Sequence, residues 1–182
     1  MARIPLPSPE EMSPEQRRVY DAIVTGPRGR LVGPLRAALH RPELAEKWQQ
    51  LGELLRYRTS LPPMVSELAI LVTAWHCRSN LEWHIHEQMA IAANLPRSVI
   101  DQISAGILPE SDQPDVGLVY DYACELNQHC KVSEPVYKRA LERFGVNGVV
   151  ELTALIGYYT MVAMTLNAHE IPLPEGAKPR FT

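Results

Sequence analysis

A chain of 182 residues, 46% of them hydrophobic, is long enough for one domain, or two closely packed halves, to bury a core without disulfides or a structural metal. A net charge of −3 with no arginine-rich run excludes nucleic acid as an expected partner, and three cysteines at uneven spacing with no CxxC exclude a disulfide framework. The apolar stretches, such as residues 68–75, are too short for a bilayer, and the first residues are prolines and acids rather than the basic start of a signal peptide, so a soluble, cytoplasmic protein without a membrane partner is expected.

Residues 1–12 are proline-rich and predict an extended arm. Ser13, Pro14 and Gln16 then form the signature of a capping box, so a helix starts there and ends at Gly26-Pro27. Three glycines and two prolines make 26–34 a loop. Pro42 opens a helix to about Tyr57, with Leu44, Trp48, Leu51 and Leu55 as its expected inward stripe. The next helix, over about 63–76, is apolar on most sides and should be central. Ser79 and Glu82 suggest a second capping box opening a helix over about 79–93, and a short helix to Ala105 stops at Gly106. Helices over about 115–129, 134–144 and 147–168 follow, with Ser133 and Asn147 as caps and Gly145 as a stop. The tail from 172 to 182 is irregular. No segment alternates polar and apolar residues, so the fold class expected is all-α, a helical bundle. One weak internal echo, Glu67-Leu68-Ala69-Ile70-Leu71 against Glu151-Leu152-Thr153-Ala154-Leu155, fits either a duplicated half-bundle or coincidence among leucine-rich helices.

Chemistry-bearing residues crowd between 67 and 87, beside the most apolar helix of the chain, where ionisable groups are costly unless paired. Glu82 and His86 are four apart and share one helix face with Ser79. Glu67, on the preceding helix, lies among residues of a packed face, and His86 is its natural partner. Each has a structural alternative. Glu82 can be the far half of a capping box, His86 a satisfied core histidine, and Glu67 a first-turn acid held by the helix dipole. His84 is two residues from Glu82 and from His86, so it points elsewhere, towards Glu87 or Gln88. Cys77 sits just before a helix start and beside His76, two features that lower a thiol pKa and make it a candidate nucleophile or redox thiol, against the alternative of a small buried cysteine in a bend. Cys124 reads as core and Cys130 as a partly exposed helix end. The Glu67, Glu82 and His86 set matches no strong ligand spacing, so neither metal nor cofactor is expected.

The run Ser66-Glu67-Leu68-Ala69-Ile70-Leu71, followed by Leu81-Glu82-Trp83-His84-Ile85-His86-Glu87, resembles the core of the carboxymuconolactone decarboxylase and alkylhydroperoxidase AhpD-like family. The stretch from Val150-Glu151-Leu152 through Gly157-Tyr158-Tyr159 to Asn167 resembles its longer members. The resemblance implies an all-helical, AhpD-like bundle over the whole chain that forms homo-oligomers, as dimer, trimer or hexamer. In AhpD-type members a glutamate, a CxxC pair and a histidine form a proton relay. In the register set by Glu67, the two cysteine positions hold Ser79 and Glu82, and the histidine is His86. Both cysteines are absent there. A second register, through Cys77, Asn80 and His84, keeps one thiol but needs a shift of two residues against Glu67.

The leading expectation is therefore an acid–base enzyme of the decarboxylase type, a lyase of the kind found in aromatic catabolism, acting on a small lactone or carboxylic-acid metabolite. Its catalytic residues would be Glu67, Glu82 and His86, with Ser79 and His84 secondary. Two alternatives stand beside it: a thiol-dependent hydroperoxide reductase with peroxiredoxin activity at Cys77, and a non-catalytic oligomeric binding protein whose pocket is closed or filled by Trp75 and Trp83.

Overall fold

Prolines and glycines punctuate the chain, and helices fill the intervals between them. The computed structural model describes residues 2–31 and 33–182; Met1 and Val32, expected in the arm and in the loop over 26–34, lie outside the described residues. Eight α-helices follow in order: α1 (Pro14–Thr25), α2 (Pro34–Ala38), α3 (Pro42–Tyr57), α4 (Pro63–His76), α5 (Asn80–Ala92), α6 (Arg97–Ser104), α7 (Pro114–His129) and α8 (Glu134–Ala168). A short 3-10 turn, Pro9–Glu11, interrupts the N-terminal arm, and no strand occurs among the described residues.

The start of α1 is capped in both directions. Ser13 Oγ accepts from the Gln16 amide, and Gln16 Oε1 accepts from the Ser13 amide at 2.9 Å. Helices α1, α3, α4 and α7 all begin on a proline, whose fixed φ suits the first turn and whose missing N–H costs nothing there. The short helix α2 falls inside a stretch with too few residues to show a period, and was not expected. The two helices expected over 134–144 and 147–168 are one element with a break: Gly145 takes φ 67°, ψ 179°, a conformation open to glycine alone at little cost. Ser133 does not cap α8 with its side chain; its amide and hydroxyl both donate to Glu125.

Helix α4 is the centre of the fold, packed against α5, α7 and α8. Leu68, Ala69, Leu71, Val72 and Ala74 are fully buried, and Ile70 is nearly so. Each large aliphatic side chain withdrawn from water there stabilises the fold by about 1.5–3 kcal/mol. Helix α8 is long and apolar enough to cross a membrane by length and composition, but half of its most apolar stretch is buried within the bundle.

The stripe expected on α3 is rotated. Trp48 and Leu55 are buried, whereas Leu44 and Leu51 are 50% and 46% exposed. The inward face consists of Ala45, Trp48, Gly52 and Leu55. The reason is close approach: a side chain at position 52 would collide with the Tyr158 hydroxyl of α8 and the Arg28 guanidinium. Small residues bring α3 against α8, and the leucines on either side are turned outward.

The C-terminal tail is irregular but pinned. Asn80 Oδ1 accepts from the amides of Arg180 and Phe181 at 2.6 and 2.8 Å, and Asn80 Nδ2 donates to the Phe181 carbonyl. The Phe181 ring packs edge-on against Trp83 with centroids 5.3 Å apart. The tail thus crosses α5 as a strap.

Candidate active site

Two neighbouring helices supply the carboxyls and the imidazole. Glu67 is the fifth residue of α4, beyond the first turn, so the helix dipole does not account for it. Its Oε2 lies 2.7 Å from His86 Nδ1 on α5. Both side chains are largely withdrawn from solvent, at 15% and 5% exposure. The contact orients the imidazole and leaves Nε2 as the nitrogen available to another group. The Tyr159 ring of α8 meets the imidazole edge-on, centroids 4.9 Å apart and planes at 85°, and fixes it from a second side.

Glu82 lies one helical turn before His86 on α5 and is 1% exposed. Neither carboxyl oxygen has a hydrogen-bond partner. Burial pushes its pKa well above the ordinary carboxylate range and so favours the neutral acid. The capping box expected from Ser79 and Glu82 does not form: Ser79 precedes α5 without a side-chain cap bond, and its buried hydroxyl is itself unpartnered. The structural explanation for an acid at position 82 therefore falls away. An unpartnered buried carboxyl is expensive, and such groups in folded proteins call for an explanation.

That carboxyl and the His86 ring open on the same small cavity, of about 50 Å³, walled also by Arg28, Arg56, Tyr158 and Tyr159. Tyr159 is buried, and desolvation raises its pKa well above the ordinary phenol value, so its hydroxyl stays neutral. Arg28 donates to the Tyr158 hydroxyl at 3.4 Å, and Arg56 donates to the Met89 sulfur at 3.1 Å. The chamber thus brings an acid, an oriented imidazole, two phenols and two guanidinium groups together. A space of this size holds ordered water or a small reacting group. Trp75 and Trp83 do not line it, so the filled pocket imagined for a non-catalytic protein is absent among the described residues.

The arginines of the chamber had no legible signal as site residues, Arg28 standing in a loop and Arg56 at a helix end. Tyr158 and Tyr159 fell within the stretch that resembles the longer family members, but nothing in it marked them as part of the site.

The structure places the remaining candidates away from the acid and imidazole. His84 lies on the other face of α5, on a larger groove, and Glu87 pairs with Arg97 instead. Cys77 is the C-cap of α4, not the start of α5: its amide donates to the Thr73 carbonyl, and its own carbonyl accepts from Asn167 Nδ2 at 2.7 Å. This is the negative end of a helix, and the site is half-buried. Burial first, and then the nearby Glu82, push the thiol up to about 11 rather than down. Proximity to the next helix along the chain misled the expectation, because the residue belongs to the helix before it. Cys124 is half-buried against the core rather than within it, and Cys130 ends α7 exposed, in the left-handed region. The internal echo has no second site behind it: Glu151 accepts from the amide and hydroxyl of Ser60, not from a histidine. Among the described residues no group of three or more His, Cys, Asp or Glu side chains is arranged to hold a metal ion.

This arrangement of helices defines an AhpD-like fold. Among solved structures the chain is similar to the alkylhydroperoxidase AhpD core of an uncharacterized peroxidase-related protein from Ralstonia eutropha JMP134, with a TM-score of 0.79 and 15% sequence identity over 96% of this chain and 93% of that one. At that identity the likeness is one of fold. No protein-family model matches the sequence, and no curated protein does.

Proposed function

We propose that the chain is a cofactor-independent acid–base enzyme of the decarboxylase type, acting on a small lactone or carboxylic acid in the cytoplasm. One observation carries the reading: a fully buried carboxyl without any partner opens on the same chamber as an imidazole held by a second carboxylate. In a decarboxylation the C–C bond to the carboxylate breaks, carbon dioxide leaves, and the electron pair passes into the substrate's own carbonyl. The resulting enolate carbon must then be protonated. Glu82, kept neutral by burial, is the proton donor; His86 then passes a proton to Glu82 and takes one back from water. Glu67 acts on His86 as a positioning residue. Arg56 and the phenol hydroxyls stabilise the enolate oxygen as it forms.

The test is release of carbon dioxide from a panel of 3-oxo acids and carboxylated γ-lactones. The wild type should turn over at least one member. Glu82→Gln and His86→Ala, with unchanged far-ultraviolet circular dichroism, should lose about 100-fold or more. Variants as fast as the wild type, or a panel without any substrate, would count against the reading.

A second reading, a thiol-dependent hydroperoxide reductase, draws support from the likeness to the peroxidase-related Ralstonia protein and no support from Cys77, whose pKa is raised. We further propose self-association as part of function. Val146, Val150, Ala154, Gly157, Met161 and Met164 form an exposed apolar stripe along α8 without a charged residue, a surface suited to a second copy of the chain.

A further inference from the structure

Helix α5 has two working faces. Glu82 and His86 point into the chamber, while Leu81, His84, Ile85, Gln88, Met89 and Ala92, at spacings of three and four, line a separate groove of about 540 Å³. A volume in the range of about 300–1,000 Å³ is typical of small-molecule sites. The C-terminal strap forms the opposite wall with Ile171, Pro172, Leu173 and Pro174, and the segment before and within α2 supplies Arg30 and Arg36.

The lining has a definite chemistry. The strap wall is aliphatic and the α5 wall mostly so, interrupted by His84 and Gln88, and no phenyl, phenol or indole ring is among the lining residues. Its only charged residues are the two arginines, and no acid lines it. Among the described residues neither arginine forms an ion pair. Guanidinium groups beside an apolar groove and without a carboxylate attract an anion, and their fork suits a carboxylate or a phosphate. Cationic ligands find no counter-charge there.

We propose that this groove is a binding site for an amphipathic anion, with its head on Arg30 and Arg36 and an aliphatic body between α5 and the C-terminal strap. His84 and Gln88 add hydrogen-bonding groups along the same face. The groove and the chamber share Gly33 and Ile85, and the bond from Arg56 to Met89 joins a residue of one to a residue of the other. Gly33 takes φ +56°, so a side chain there would be strained, and the wall between the two spaces stays thin at that point. A bound aliphatic chain therefore lies against Ile85, on the far side of which His86 and Glu82 sit.

Calorimetric titration with octanoate, octyl phosphate and octanol tests the site. Octanoate or octyl phosphate should bind at least tenfold more tightly than octanol, and which of the two binds better identifies the head group as carboxylate or phosphate monoester. The double variant Arg30→Gln with Arg36→Gln should lose that preference and bind both anions no better than octanol. Arg30 is exposed and Arg36 half-buried, so the variant should unfold within a few degrees of the wild type, which a thermal scan checks. Raising the salt concentration should weaken anion binding and leave octanol unchanged. Glu82→Gln and His86→Ala should retain octanoate or octyl phosphate affinity within about twofold, which separates this site from the acid–base reading. Equal binding of octanol and the two anions, unchanged anion binding by the arginine variant, or no heat with any of the three at millimolar concentration would overturn the proposal.

Discussion

Removing the Glu82 carboxyl should make the protein more stable, and by an amount that grows with pH. The unfolded chain releases the Glu82 proton near the ordinary value of 4.5, whereas the folded chain, with that carboxyl desolvated, holds it to a higher pH. Below 4.5 both states are protonated and the residue contributes no pH dependence. Above it the unfolded state binds fewer protons than the native state, so wild-type stability falls as pH rises, by up to about 1.4 kcal/mol per pH unit until the folded carboxyl titrates. Glu82→Gln keeps the shape and a polar group but cannot ionise, so it isolates this term. Its stability should match the wild type at pH 4 to within the cost of the amide and draw ahead as the pH rises above 4.5. Glu82→Met also removes two buried oxygens that have no partner, which is worth about 1–3 kcal/mol even at low pH. In a chain of this length that corresponds to a melting temperature about 2–12 °C higher. Urea unfolding of the three proteins at pH 4 to 8, with carbon dioxide release measured alongside, is the assay. Greater stability with lost turnover is the expected pair, because a group retained at a cost to folding is retained for its chemistry. Wild-type and Gln curves that run parallel from pH 4.5 to 8 would refute the reasoning, since the carboxyl would then be ionising in water like any other.

Other outcomes follow from the same geometry. Gly52→Ala should cost about 1–3 kcal/mol by forcing Tyr158 and Arg28 from their contacts, and thermal unfolding should show the loss. With its pKa raised to about 11, Cys77 is thiolate in roughly one molecule in ten thousand at pH 7, so after brief exposure to a small excess of organic hydroperoxide the wild type and Cys77→Ser should lose the same number of titratable thiols. Any thiol reactivity traced to Cys77 by the Ser variant should rise about tenfold per pH unit up to about pH 11. Met161→Glu, a charge placed in the apolar stripe of α8, should lower the solution mass measured by light scattering if copies associate through that face, while leaving the monomer's melting temperature nearly unchanged because the position is exposed.

Most of the helices were legible along the chain because their signals are local, although α2 was too short to show a period and the break in α8 did not separate two elements. Ser13, Pro14 and Gln16 announced α1, Pro42 and Pro63 opened α3 and α4 where expected, and the apolar run of 68–74 made α4 central. Spacing alone also placed Glu82 and His86 on one face of α5. What those side chains meet depends on how the helices pack. That Glu67 reaches His86 and nothing reaches Glu82 depends on how α4 and α5 cross. The cap expected at Ser79 failed because Glu82 turns into the core instead of back along its own helix. Cys77 faces the negative end of α4 because the turn, not the nearness of α5 in sequence, sets its field. The rotated stripe of α3, the Tyr158–Tyr159 wall and the groove beneath the C-terminal strap all join residues tens of positions apart. Helical periodicity reports which residues of one segment share a side, but pKa values, unpartnered oxygens and cavities arise from atoms on different segments, and those exist only once the segments have packed.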